Sequence, residues 1–419
     1  MAYFFGILFF IFAILFSVAL HELGHLIPAK IFDVKVPQYF IGFGPTIWSK
    51  KIGETEYGIK LIPLGGYVRL ASMLYYGSEN RRQYKKDGVT LTLAEEARRA
   101  SAGELEPGEE HRAFWRLAVW KRFIVMFGGP FMNLVLAFAC IGGVFVALGT
   151  PEATPIIEKV QMCVDSENET QCTKGQTPAA LANLQAGDTI VQWNDKDIAS
   201  WNDVTQAIMA TGNNTADVKV KRGEKYVDLQ VTPMERIVDV DGQKQTRYFV
   251  GITSHIEQKK KSFNEVPAYL WGMTTQTVSV IAHLPVELWN VTKVLLTGEG
   301  ERNGVMGLVG VADMAGDITS AESAQYTNSQ RFGDLIFLLG SLNFSLFAFN
   351  LIPLLPLDGG HILGALIEGV QSMWARLRKK PKPDPFDTAR FTGLSHAVAL
   401  VFIAMTVLLI VADIFVPVM

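Results

Sequence analysis

The uncharged residues 3–20 lead directly into His21-Glu22-Leu23-Gly24-His25. An apolar run of this length spans a bilayer as a helix. A helix places residues four apart on one face, so both imidazoles reach one zinc ion, and Glu22 lies beside them to take a proton from the attacking water. The alternative is a polar helix end at the interface. Because two imidazoles and a carboxylate at membrane depth are costly without a function, we favour the metal site.

A catalytic zinc of this type needs a third protein ligand, and residues 350–361 (NLIPLLPLDGGH) supply a candidate. Asp358 follows two helix-breaking prolines and precedes two glycines, a pattern that predicts a tight turn presenting one carboxylate. His361 is the second candidate. Another class of zinc protease uses a glutamate as the third zinc ligand, and under that hypothesis the ligand would be Glu368.

Four runs are long enough to span a bilayer: residues 3–20, 123–149, 335–357 and 397–416. Residues 28–122 hold 16 Lys/Arg against 11 Asp/Glu, residues 366–391 hold 6 against 3, and residues 151–331 hold 16 against 23. Basic loops stay on the cytoplasmic side, so we expect both ends of the chain and the acidic segment outside. His21, His25 and Asp358 then lie at the cytoplasmic ends of their spans.

The polar segments predict two β-rich regions. Tyr57, Ile59 and Leu61 alternate with Gly58 and Lys60 after a Gly53-Glu54 turn, which predicts a hairpin near the membrane. Residues 154–255 read as a small globular domain, with a helix over 201–211 and strands over 187–191, 218–220 and 227–231. A charged loop over 76–112 carries a short helix from Leu93, and residues 264–298 predict amphipathic helices interrupted at Pro285.

Composition excludes several classes. The chain has 419 residues, 49% hydrophobic and 19% charged, with a net charge of -3, which excludes a disordered chain and argues against nucleic-acid binding. Three cysteines exclude a disulfide scaffold. Cys140 lies in an apolar run; Cys163 and Cys172 form a disulfide if their stretch lies outside the cytoplasm, and two unrelated thiols are the alternative.

In this order, the motifs resemble those of the site-2 proteases, zinc intramembrane metalloproteases, of the bacterial regulator-of-sigma-E-protease type. The resemblance covers most of the chain, and one phrase, residues 341–350, is similar to actinobacterial members. It rests on H-E-x-x-H at 21–25, G-F-G-P at 42–45, I-P-L-G-G-Y-V at 62–68, W-K-R at 120–122, G-P-x-x-N at 129–133 and the stretch 350–361. Residues 184–190 resemble the loop-strand signature of a PDZ module. Many relatives carry two such domains, and this chain has room for one.

The resemblance implies one Zn²⁺ per chain, bound by His21, His25 and Asp358, with Glu22 as general base. It implies a membrane-reentrant hairpin that pairs with an unwound substrate strand. The implied substrate-binding residues are Asn350, Asn343, Asn133, Gly42, Gly44, Tyr57, Ile59, Gly65 and Gly66. Interhelical hydrogen bonding is the alternative role of the asparagines.

The predicted fold is a membrane protein of four transmembrane helices with a membrane-reentrant β-hairpin and one extracytoplasmic PDZ-like α+β domain. Its parts are the first span (1–35), hairpin (36–70), cytoplasmic loop (71–122), second span (123–150), PDZ-like domain (151–256), helical region (257–331), third span (332–365), loop (366–392) and fourth span (393–419).

The expected function is cleavage of single-span membrane proteins in or near the membrane, of the anti-sigma-factor or signal-peptide-remnant type, after extracytoplasmic trimming. We expect a monomer in the bacterial cell membrane, with the active site toward the cytoplasm. A competing reading is a membrane-anchored PDZ adaptor with a vestigial metal site.

Overall fold

The computed structural model describes residues 1–77, 83–164, 176–240, 243–298, 302, 305–321 and 327–416. The chain divides into two compact units. Unit 1 comprises Met1–Val146 and Ser262–Met419, and unit 2 comprises Ala147–Lys261.

The helices, in chain order, are α1 (Ala2–Ile31), α2 (Leu93–Ala102), α3 (Val119–Ala147), α4 (Pro178–Leu181), α5 (Trp201–Thr211), α6 (Val266–Thr297), α7 (Leu308–Ser320), α8 (Asn328–Asn350), α9 (Asp358–Leu377) and α10 (Thr392–Phe415). The strands are β1 (Gln38–Ile52), β2 (Thr55–Arg69), β3 (Thr150–Val160), β4 (Thr189–Trp193), β5 (Lys196–Asp197), β6 (Ala216–Arg222), β7 (Lys225–Val231), β8 (Met234–Val240), β9 (Gln243–Phe249) and β10 (Ile252–Lys259).

In the part of the chain that the structure describes, four helices are long and apolar enough to cross a membrane, which confirms the four predicted spans. They cover Ala2–Ile31, Val119–Ala147, Asn328–Asn350 and Thr388–Phe415. A helix satisfies its own backbone hydrogen bonds, which is what allows such apolar segments to stand in lipid. The chain is therefore a multi-pass membrane protein.

Around the H-E-x-x-H motif, α1, α3 and α9 share one apolar cluster. Leu26 of α1, Val125 and Met126 of α3 and Ile362 of α9 are buried together with Leu70, which follows β2. This cluster brings the start of α9, and so Asp358, against the motif on α1. The cluster continues under the hairpin, where Tyr39 and Tyr57 pack against it.

The predicted hairpin exists, and its pairing is more elaborate than a simple two-stranded ribbon. β1 pairs with β2, and residues 38–41 have partners on both sides: Gln38 pairs with Glu56 and Arg69, and Ile41 pairs with Ile59 and Gly66. Ile59 in turn pairs with both Ile41 and Trp48. Within the described strands, residues 66–69 pair on one side only, so they form an outer edge of this sheet.

Helix α6 runs without interruption through Pro285, where the sequence predicts a break. Proline lacks the N–H that would bond to the preceding turn, so α6 continues past Pro285 with that one backbone hydrogen bond missing. The predicted short helix from Leu93 is confirmed as α2.

Unit 2 contains a twisted sheet in the order β10-β3-β4-β6-β7, with β5 paired to β4, and a separate β8-β9 pair. Helix α5 covers Trp201–Thr211, as the sequence predicts, and begins with a capping box of Ser200 and Asp203. Trp193 lies in the core and donates a hydrogen bond to Thr211 Oγ1 at 2.9 Å. Cys163 is disulfide-bonded and Cys140 is a free thiol; Cys172, the predicted partner of Cys163, lies outside the described residues.

Candidate metal centre

Two imidazoles and one carboxylate converge where α1 meets the start of α9. His21 and His25 lie one turn apart on α1, and Asp358 is the first residue of α9. The chain leaves α8 at Asn350, and Leu357 is extended before α9 begins. A carboxylate at a helix N-terminus is favoured by the helix dipole. Among the described residues, these three form the one group of His, Cys, Asp and Glu side chains that can hold a metal ion.

The distances between the ligand atoms match a tetrahedral zinc site. His21 Nε2 lies 3.3 Å from His25 Nε2, and Asp358 Oδ2 lies 3.5 Å from His21 Nε2 and 3.4 Å from His25 Nε2. Tetrahedral ligands at the usual zinc distances of about 2.0–2.1 Å are about 3.3 Å apart. The three atoms therefore form one face of such a tetrahedron and leave the fourth position open.

A backbone carbonyl of α3 fixes the tautomer of His25. The ring donates from Nδ1 to the Val125 carbonyl oxygen at 2.7 Å, and His25 is only 5% exposed. This bond leaves the Nε2 lone pair directed at the other two ligands, as in zinc sites whose histidines are held by an outer hydrogen bond.

Asn133 of α3 is the outer hydrogen-bond partner of His21, as the Val125 carbonyl is of His25. Its amide Nδ2 lies 3.1 Å from His21 Nδ1, and its buried Oδ1 has no hydrogen-bond partner within the described chain. A half-turn of the amide places Oδ1 opposite His21 Nδ1, which then donates a proton to it and frees Nε2 for metal. A metal on Nε2 thus satisfies the otherwise orphaned Asn133 oxygen, so the residues present fit a zinc ion.

Glycines allow α3 to approach the motif this closely. A Cβ on Gly24 would lie 2.3 Å from the Gly128 carbonyl oxygen, and a Cβ on Gly129 would lie 2.2 Å from His25 Nε2. Small residues permit such backbone contact between membrane helices. The sequence alone does not predict the roles of Gly128 and Gly129, although paired glycines in an apolar span are a signal of close helix approach.

Glu22 faces the outer edge of the hairpin sheet. Its carboxylate accepts a hydrogen bond from the Val68 backbone N–H, and a Cβ on Gly66 would lie 3.2 Å from Glu22 Cγ. The three candidate ligands, Glu22, Gly66 and Val68 line a cavity of about 480 Å³, with Asn350 also in its wall. A strand edge that has no further strand partner among the described residues therefore borders the candidate metal site, and its Val68 N–H bonds to Glu22.

The remaining predicted substrate residues separate into two groups. Gly42 and Gly44 have φ of +89° and +83° and bend β1, and Gly65, with φ of +102°, bends β2 just before the edge. Tyr57 and Ile59 are different, because their stretch has strand partners on both sides. Within the described strands, the backbone of Tyr57 and Ile59 is therefore paired on both sides, unlike that of residues 66–69.

Asn343 is buried away from the cavity lining. Its Oδ1 accepts a hydrogen bond from Ser17 Oγ of α1, and its Nδ2 donates to the Leu339 carbonyl oxygen at 2.9 Å. Its side chain is 0% exposed. This is the interhelical role that the sequence left open as the alternative.

Neither competitor for third ligand joins the group. Glu368 Oε1 lies 2.6 Å from Arg122 Nη2, and Glu368 Oε2 accepts a hydrogen bond from the Phe386 backbone N–H at 3.0 Å. It is 2% exposed and acts as a structural counter-ion. His361 lines the cavity without entering the ligand triangle.

Comparisons with known proteins agree with this chemistry. The model of Peptidase family M50 matches residues 9–381. The chain is similar to zinc metalloprotease Rip1 of Mycolicibacterium smegmatis, with 30% identity over 432 residues that cover 98% of each chain. It is also similar to zinc metalloprotease Rip1 of Mycobacterium tuberculosis, with 30% identity over 430 residues covering 99% of this chain and 98% of that protein. Metalloprotease MmpA of Caulobacter vibrioides is 27% identical over 388 residues, covering 89% of this chain and 87% of that protein.

Proposed function

The chain belongs to Peptidase family M50, the site-2 proteases, and is a membrane-embedded zinc metalloendopeptidase; on that premise we propose that it cleaves single-span membrane proteins in or near their transmembrane segment. The observation that carries the proposal is the ligand triangle of His21, His25 and Asp358 beside an unpaired strand edge. The adaptor reading is not retained, because the relatives are named metalloproteases and the ligand set is complete.

We assign His21, His25 and Asp358 as zinc ligands and Glu22 as general base. When bound, the zinc ion supplies a Lewis acid for the scissile carbonyl and for the attacking water. Glu22 takes the proton of that water and delivers it to the leaving amine. Val125 and Asn133 hold the two imidazoles in the tautomer that this chemistry needs.

The substrate must be unwound before its peptide bond is accessible, because a helical carbonyl is already hydrogen-bonded. Residues 66–69 offer an edge to which an extended segment adds as a further strand, replacing the hydrogen bonds of its lost helix. We assign Gly65, Gly66 and Asn350 to substrate binding, with Gly42 and Gly44 shaping the membrane-reentrant hairpin.

The hairpin test uses substrates that differ only in backbone hydrogen bonding. A single-span peptide with N-methyl groups on alternate amides flanking the cleaved bond loses the donors for strand pairing. We expect cleavage to fall by more than about 10-fold, since each lost hydrogen bond costs about 1 kcal/mol. N-methyl groups on the intervening amides, which point to the other edge of the substrate strand, serve as the control, and equal cleavage of both peptides would refute strand addition.

We assign the candidate metal centre to the cytoplasmic side of a bacterial cell membrane and unit 2, as one PDZ-like domain, to the opposite side. The basic balance of residues 28–122 and 366–391 supports this topology. The sheet of unit 2 with its helix α5 supports the PDZ assignment. We further propose that the protein acts as a monomer on substrates already trimmed outside the membrane, such as anti-sigma factors or signal-peptide remnants.

To identify the substrates, membranes that hold the wild type are compared with membranes that hold Glu22→Gln. Single-span fragments that accumulate only with the variant are the expected substrates. Identical fragment sets in the two membranes would contradict intramembrane cleavage by this site.

A further inference from the structure

The outer half of α9 presents an apolar face that the described chain leaves uncovered. Val370, Met373, Trp374 and Leu377 are 60%, 60%, 56% and 72% exposed. Their spacing of three and four residues puts them on one face of the helix. The buried face of α9 lies on the opposite side and extends as far as Glu368; beyond it, Ser372 and Ala375 on that side are half-buried. An apolar face of this size indicates contact with a partner or with lipid.

The packing of α9 places this face level with the first turn of α3. Asp358 contacts His25, whose ring bonds to Val125 of α3, and ten residues later Glu368 contacts Arg122. α9 therefore runs about 15 Å from the candidate metal site toward the start of α3. A Cβ on Gly369 would lie 3.3 Å from Val119, the first residue of α3. The apolar face follows directly, at the level of Val119, where α3 begins.

The same level carries the aromatic and basic residues typical of an interface. Trp120, in the first turn of α3, is 57% exposed, and Lys121 Nζ lies 5.7 Å from its ring centroid. Tryptophan is enriched where membrane meets water. On α9, the Arg378 guanidinium carbon likewise lies over an indole, 4.4 Å from the ring centroid of Trp374.

The charge next to the apolar face has a single sign. Residues 369–383 contain five basic side chains and no acidic one. The five are exposed, and none pairs with a carboxylate within the described chain; they are Arg376, Arg378, Lys379, Lys380 and Lys382. A second copy would bring two such basic clusters together, so self-association through this face is disfavoured. An anionic surface complements it.

We propose that residues 370–382, the α9 anchor, bind anionic phospholipid. The four apolar side chains enter the boundary between headgroups and acyl chains, and the five basic groups contact lipid phosphates. The same helix begins at Asp358. Lipid therefore holds one end of the helix whose other end carries a candidate zinc ligand.

The test uses the full-length protein in vesicles with acyl chains brominated near the headgroup, in either phosphatidylcholine or phosphatidylglycerol. Bromine quenches tryptophan fluorescence on contact, and subtracting the signal of Trp374→Phe isolates Trp374. We expect stronger quenching by brominated phosphatidylglycerol. Lys379→Gln/Lys380→Gln should weaken that preference, by about five-fold for each lysine. Lys85→Gln/Lys86→Gln, which removes two exposed lysines of another loop, should leave it unchanged.

Each other result overturns the proposal. No quenching of Trp374 by either lipid would show that protein covers this face. Equal quenching by both lipids would show apolar insertion without recognition of anionic headgroups. A loss of preference in the Lys85/Lys86 control as large as in the anchor variant would show that net charge, rather than the α9 anchor, selects the lipid.

Discussion

At the scale of single residues, the position of the His25 ring depends on the lack of a side chain at Gly129. Gly129 leaves the space that the His25 ring fills, since a Cβ there would lie 2.2 Å from Nε2. The ring cannot move freely away from an added Cβ, because its Nδ1 is hydrogen-bonded to the Val125 carbonyl oxygen. A metal site tolerates displacements of only about 0.5 Å.

We therefore predict that Gly129→Ala weakens zinc binding by at least about 10-fold, as measured by competition with a chelator. Gly143→Ala is the matched control on the same helix, because a Cβ on Gly143 would meet no atom within 4 Å. Unchanged affinity in Gly129→Ala would show that His25 is not held as described.

The identity of the third ligand gives a second residue-scale prediction. Asp358→Ala should weaken zinc binding by more than about 100-fold, beyond what the loss of an outer hydrogen-bond partner costs. Glu368→Gln should keep one zinc per chain and lower the stability by about 3–5 kcal/mol, because Arg122 is left buried without its counter-ion. Metal analysis and thermal unfolding of both variants measure this, and zinc loss in Glu368→Gln would reverse the assignment.

Some of these roles could be predicted from sequence and others could not. Helical periodicity alone brings His21 and His25 together, and the prolines and glycines around Asp358 predict its turn. Asn133 and Asn343 illustrate the limit. Both are asparagines in apolar spans, and only packing shows that one contacts His21 while the other bonds to Ser17.

At the scale of elements, the hairpin shows why register is difficult to predict from sequence. Alternating side chains predict two strands, and the structure has them. The alternation does not show that residues 38–41 lie between two stretches of β2. That long-range pairing removes Tyr57 from the candidate edge and leaves residues 66–69 there.

A buried ion pair links two other elements of unit 1. Arg302 Nη2 lies 2.5 Å from Asp413 Oδ1 near the end of α10, and Asp413 Oδ2 accepts a hydrogen bond from the Gly310 backbone N–H of α7 at 2.8 Å. Both side chains are at most 2% exposed. The acid at Asp413, unusual in an apolar span, thus anchors α7 to α10.

We predict that Arg302→Met lowers stability by about 3–5 kcal/mol, because it leaves the Asp413 carboxylate buried and unpaired. Arg302→Met/Asp413→Leu should lose less than the single variant, since no unpaired charge remains. Thermal unfolding in detergent compares the two. A single variant as stable as the wild type would show that the pair does not hold these helices together.

At the scale of the whole molecule, the small net charge of -3 averages segments of opposite sign. The separation of those segments by four apolar helices is what the topology rests on. In a Cys140→Ala background, we predict that Lys225→Cys reacts with an impermeant thiol reagent added to intact cells. Lys85→Cys should react only after the membrane is opened, and the reverse pattern would invert the topology.

The role of Glu22 is tested by measuring zinc content and cleavage together in Glu22→Gln, purified and reconstituted with a single-span substrate. Glu22 lies beside the ligand triangle without belonging to it. We predict one zinc per chain, as in the wild type, and cleavage reduced by about 10²–10⁴-fold, the usual contribution of a general base. Cleavage at the wild-type rate by a zinc-loaded Glu22→Gln would contradict the central claim that this carboxylate activates water for peptide hydrolysis at His21, His25 and Asp358.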